Sequence, residues 1–171
     1  MKKGLKAMAF QWHEAHNELK QSMQKEVHLM RDLLANLLQE ELSLLMHDRG
    51  TWNHVMEERS KIVANLGSWR SLRLKATEKL TELFLPKKMG KEIPLEELLP
   101  TQDENSCEIL SLRDQLMALA DRMNHQSSRN QNLFKQVEKK FDQPPLNPIP
   151  EPSLARVKRK RAAVITYHFK E

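Results

Sequence analysis

Residues 27–46 read VHLMRDLLANLLQEELSLLM and run into His47-Asp48-Arg49-Gly50-Thr51. Apolar residues return every three or four positions and never on strict alternation, so the segment hides them best as an amphipathic helix. One heptad register carries Arg31, Leu38, Leu45, Trp52, Arg59, Leu66, Arg73 and Leu80 at one seam position. The other seam position holds Val27, Leu34, Glu41, Asp48, Val55, Ile62, Trp69, Ala76 and Leu83. Most of these are apolar, and the register passes Gly50 without a slip. Leucines exceed what one seam uses, because Leu29, Leu33, Leu37 and Leu44 form a second stripe. Such a stripe suits a central helix touching two neighbours; the other reading is a docking surface for a partner helix.

One unbroken helix over residues 5–85 would be about 120 Å long. The cluster at 47–51 joins weak helix formers, a glycine and Thr51 as a candidate N-cap, so a break is expected there. No proline precedes Pro86; Pro86, Pro94 and Pro100 mark a connector over 86–103, and five more prolines fall between Pro144 and Pro152. Between these clusters the helical period resumes with Ile109, Leu112, Leu116, Leu119 and Met123, then Leu133 and Val137. The expectation is an all-α fold, an antiparallel three-helix bundle of long coiled-coil-like helices filling 1–142. Its helices span about 5–47, 51–85 and 104–142. A proline-rich linker follows at 143–155, extended and partly polyproline-like, and then a basic, β-prone tail at 156–171.

Composition supports this. With four glycines in 171 residues and 5% aromatics, the chain lacks the turns and β-rich runs of sandwiches, barrels and nucleotide-binding α/β folds. The net charge of +5 is unevenly placed. Residues 143–171 hold six Lys/Arg against two Asp/Glu, whereas 1–142 hold 22 against 21. The tail is basic and the body nearly neutral. Cys107 is the only cysteine, which fits a reduced, cytoplasmic setting. No run is apolar enough for a membrane span or a secretory leader, so a soluble intracellular protein is expected.

Catalytic chemistry finds little footing. The sequence has no Gly-rich phosphate loop, no nucleophile elbow and no H-E-x-x-H. His13 and His16 sit three apart without a persuasive third ligand, and Cys107 has no activating histidine nearby in sequence. Neither an enzyme nor a cofactor or metal is expected. Charged residues within the seam say more. A buried charge needs a partner; about a turn near Gly50 Glu41 and Arg59 lie at similar distances, and they either pair or reach water at a wet edge with their long side chains. The third helix loses its apolar ladder over Asn124–Asn132, where Asn124, Ser127 and Asn130 share a face. That face reads either as a polar layer fixing helix register or as a groove for another backbone.

The run Leu37-Leu38-Gln39-Glu40-Glu41, then Asp48, then Glu57-Glu58-Arg59-Ser60-Lys61-Ile62-Val63-Ala64-Asn65-Leu66 resembles the FlgN family of flagellar and type III export chaperones. The stretch Leu119-Ala120-Asp121-Arg122-Met123-Asn124 to Asn130-Gln131-Asn132-Leu133-Phe134 looks like its other hallmark, asparagines at three-residue spacing before large apolar residues. The resemblance implies a cytoplasmic helical chaperone that binds an amphipathic helix of an exported client and hands it to the export apparatus. Carried onto this chain, it implies a client groove of Asn124, Ser127, Asn130, Leu133 and Phe134. Met30, Met46, Met117 and Met123 would let such a surface adapt.

The tail has its own reading. Arg156, Lys158, Arg159, Lys160 and Arg161 precede Val164, Ile165 and Tyr167, a strip suited to docking on a partner with the basic cluster steering encounter; the other reading is a disordered, solubilising end. Nucleic acid is disfavoured as a partner because the body offers no further basic stripe. A structural coiled-coil component of a secretion or division machinery is the alternative function, and a homodimer is compatible with the pattern.

Overall fold

The computed structural model describes residues 2–85, 93–99 and 104–141, with side chains for 10–85, 93–99 and 104–138. The linker at 143–155, the tail at 156–171 and most of the connector lie outside the described residues. Four helices follow in order: α1 over Lys2–Leu45, α2 over Arg49–Phe84, a single turn α3 over Leu95–Leu98, and α4 over Glu104–Phe141. The fold is an all-α bundle, and the three long helices match their expected spans to within a few residues. At 44 residues, α1 is about 66 Å long.

Cross-links give the directions. Glu18 pairs with Lys79, Glu26 with Arg73 and Glu40 with Arg59, so α2 runs antiparallel to α1. Lys20 pairs with Glu108, Arg31 meets Gln115 and Glu41 meets Arg129, so α4 runs parallel to α1. The bundle is therefore up-down-up, with α1 packed against both of the other long helices. Trp52 and Phe134 bridge α2 and α4, their rings stacked with centroids 5.4 Å apart. Within the connector, α3 packs on α2, buries Leu98, and ties Glu96 to Arg113 of α4.

The turn between α1 and α2 explains why the long helix breaks. His47 takes a left-handed backbone, φ 56°. Its N–H donates to the Leu44 carbonyl at 3.2 Å and the Asp48 N–H to the Ser43 carbonyl at 2.9 Å. These bonds form a Schellman motif that satisfies the last carbonyls of α1. The cap of α2 is Asp48 rather than the expected Thr51; its carboxylate accepts from the Thr51 N–H at 3.0 Å and the Thr51 hydroxyl at 2.6 Å.

That reversal also resets the helical phase, which corrects the expected seam. In α1 the most continuous buried line is Leu19, Met23, Glu26, Met30, Leu33, Leu37, Glu40 and Leu44, one residue before the expected register, while Val27 and Glu41 of the expected line are buried beside it and Leu34 packs on the core. Leu38 and Leu45, expected in the seam, are 47% and 54% exposed. The stripe of Leu33, Leu37 and Leu44 is the core itself, with Leu29 packed beside it. In α2 the expected line holds: Val55, Leu66, Ala76 and Leu80 are buried and Ile62 packs on the core. A heptad count assumes one continuous helix, and three non-helical residues at the turn shift its phase. Ala15, Ser22, Asn36 and Ser43 of α1 are also buried and mostly small, and Asn36 reaches the Val55 carbonyl of α2.

Candidate binding surface

A polar layer crosses the bundle near its turn end, where the third-helix ladder fails. Asn36 donates to the Val55 carbonyl at 2.9 Å and accepts from Arg59 Nε at 2.9 Å. Arg59 then donates to Glu40 Oε2 at 2.8 Å, and Asn130 Nδ2 donates to the same oxygen at 2.6 Å and to the Leu37 carbonyl at 2.7 Å. Gln126 Nε2 donates to Asn130 Oδ1 at 2.9 Å and to Glu41 Oε2 at 2.6 Å, and Arg129 closes the edge on Glu41 Oε1 at 2.7 Å. Side chains from α1, α2 and α4 thus satisfy one another in a single network. Arg59 pairs with Glu40 and not with the expected Glu41, a consequence of the same one-residue shift in register.

A second buried pair lies deeper. Glu26 is 2% exposed, and its carboxylate accepts from Arg73 Nε at 2.7 Å. Burial raises the Glu26 pKa above its ordinary value, and the Arg73 charge opposes that rise only in part. On the surface, the bond to Glu18 raises the Lys79 pKa, while the Thr51 bonds lower that of Asp48.

The five residues expected to line a client groove part company here. Asn130 is 2% exposed and wholly engaged in the network. Phe134 stacks on Trp52, Ser127 is half-buried, and Asn124 is exposed. Leu133 alone lines an open groove, of about 450 Å³, together with Glu41, Leu45, Arg129, Asn132 and Gln136. The tail residues Arg156, Lys158, Arg159, Lys160, Arg161, Val164, Ile165 and Tyr167 lie outside the described residues. His13 is exposed whereas His16 is buried against Trp12 and within 3.5 Å of the Ser106 hydroxyl, so the two histidines face different surroundings. Among the described residues no group of three or more His, Cys, Asp or Glu is arranged to hold a metal ion, and no helix is long and apolar enough to cross a membrane.

Beside the groove, α1 presents a stripe that sequence reasoning assigned elsewhere. Leu38, Leu42, Leu45 and Met46 are 47%, 59%, 54% and 76% exposed. Their spacing of four, three and one keeps them on one flank of the helix, continuous through Leu45 with Leu133. Isolated surface leucines are ordinary, but four large apolar side chains within nine residues are a patch. The only sequence signal for it was the leucine surplus. One flank of a helix cannot bury Leu37 and Leu38 alike.

Compared with protein-family models, curated proteins and solved structures, the chain finds no match.

Proposed function

We propose that this protein is a cytoplasmic chaperone of flagellar or type III export that holds an amphipathic helix of its client and delivers it to the export apparatus. The observation that carries the helix-binding part is the exposed stripe of Leu38, Leu42, Leu45 and Met46 with the adjoining groove at Leu133. A client helix laid there would bury its own apolar face against these side chains and meet Arg129 and Gln136 at the rim. The export role rests on the resemblance of the Leu37–Leu66 and Leu119–Phe134 stretches to the FlgN family. Of the groove that resemblance implies, Leu133 keeps a direct role. Asn130 and Phe134 would act through the bundle that supports it.

The test compares the full chain with a Leu42→Glu/Leu45→Glu variant. Clients recovered from the native cell by the wild-type protein are identified, and their terminal helices are titrated as peptides against both forms. The expected result is binding to the wild type and a loss of at least about tenfold in the variant, with unfolding unchanged, since both positions are exposed. Equal affinity for both forms would remove the stripe as the client site. A concentration-dependent doubling of mass that the same variant abolishes, without any client, would favour the structural coiled-coil reading instead.

A further inference from the structure

We infer that the stripe has an occupant within the chain: residues 156–169 fold back over Leu38, Leu42, Leu45 and Met46 while no client is bound. The inference rests on the reading of this flank as a docking surface, and adds that the surface is self-covered.

Position comes first. The last turns of α4 run beside the stripe, with Leu133 and Gln136 lining the same groove as Leu45, and α4 ends at Phe141. From there residues 142–155 can span up to about 43 Å at 3.1 Å per residue. Leu38 lies only seven residues from Leu45 along α1, about 10 Å. The segment that follows therefore starts within reach of the whole stripe.

Charge comes second. From Asp32 to Asp48 the chain carries four acids and not one Lys or Arg; Arg59 and Arg129 answer Glu40 and Glu41 from the neighbouring helices, which leaves Asp32 and Asp48 as the exposed acids of this stretch. The last turn of α1 has no basic residue to complement the negative end of its dipole. The arriving segment opens with Arg156, Lys158, Arg159, Lys160 and Arg161. It continues as Ala162-Ala163-Val164-Ile165-Thr166-Tyr167-His168-Phe169, with no Lys, Arg, Asp or Glu. Basic residues would lie at the negative C-terminal end of α1, toward Asp48, and apolar ones on the leucines. The tether supplies an effective concentration on the order of millimolar, so a contact too weak to hold two separate molecules suffices.

The test uses the full chain with Cys107→Ser and two introduced cysteines, Leu42→Cys with Ile165→Cys. The control pairs Ile165→Cys with Ser71→Cys on the exposed face of α2. Under mild oxidation the 42–165 disulfide is expected to form within one chain at least about tenfold faster than the control, and Arg159→Glu/Lys160→Glu is expected to slow it toward the control rate. Equal rates, or disulfides that join two chains through position 42, would overturn the inference. A synthetic Leu/Lys amphipathic helix titrated against wild type and Val164→Asp/Ile165→Asp supplies the second arm. Tighter binding to the variant is expected, and unchanged measurable binding would count against self-coverage. Selective 42–165 coupling with no peptide bound by either form would uphold the inference and sink the helix-binding function.

Discussion

His47 sits where a glycine would be easier. Its φ of 56° places Cβ against the following carbonyl, at a cost of about 1–2 kcal/mol for an ordinary residue. His47→Gly is therefore expected to stabilise the protein by about 0.5–1 kcal/mol after the added freedom of glycine in the unfolded chain is offset, measured by urea unfolding. One residue on, Asp48 works in the other direction. Its folded-state pKa is lowered by the Thr51 bonds, so its contribution is present above the ordinary aspartate value and is lost as pH falls through the folded value. Asp48→Ala should melt lower than wild type at neutral pH and converge with it in acid. Glu26 has the opposite sign. Its folded pKa is raised, chiefly by burial, so the folded state binds the proton more readily and this group's contribution declines as pH rises above about 4.5. Against Glu26→Gln, the wild type should lose relative stability as pH rises from that value toward the raised one. A difference that stays flat across the window would show that Arg73 fully offsets the burial of the carboxylate.

At the scale of elements, the ion pairs set how α2 lies on α1. In Glu18–Lys79, Glu26–Arg73 and Glu40–Arg59 the acid is always on α1 and the base on α2. A slip of one residue would part the buried Glu26 from Arg73 and leave Glu40 only the Asn130 amide of α4, which the fold cannot tolerate cheaply. Arg59→Met is expected to cost about 3 kcal/mol because the Asn36 amide oxygen loses its donor and Glu40 loses its counter-charge, keeping only the Asn130 amide. Asn130→Ala should cost about 2 kcal/mol, and the double variant should fall short of the sum because both residues act on one Glu40 oxygen. Additivity in that cycle would mean the layer does not act as a unit. Much of this was legible beforehand. Charges at Arg59 and Arg73 raised the need for acidic partners, and the polar run at 124–132 read as either a register-fixing layer or a groove. Which acids would answer was not legible, because a heptad count drawn through 47–51 assumes a helix that the Schellman turn interrupts.

For the molecule as a whole, adjacent leucines separate the core from the proposed docking face. Leu37 and Leu44 are 5% and 0% exposed, while Leu38 and Leu45 beside them are about half exposed. Leu37→Ala or Leu44→Ala is expected to cost about 2–5 kcal/mol in unfolding free energy. Leu38→Ala or Leu45→Ala should stay within about 0.5 kcal/mol and weaken helix binding instead. If Leu38→Ala proved as destabilising as Leu37→Ala, the stripe would belong to the core and could not be a docking face. The basic excess that first drew attention to nucleic acid belongs to residues 143–171. The fold-back inferred above would give it a nearer target, the leucine-rich C-terminal end of α1.

Sequence by itself determined that the described residues are helical and, to within a few residues, where the three long helices begin and end, because periodicity, caps and prolines act through the local backbone. Tertiary structure decided which of two overlapping leucine stripes is the core. Each residue adds about 100° of rotation, so a one-residue shift at the turn was enough to carry Leu38 and Leu45 out of the seam and Leu37 and Leu44 into it. Both stripes satisfy a helix equally well. Only the partners on α2 and α4 choose between them.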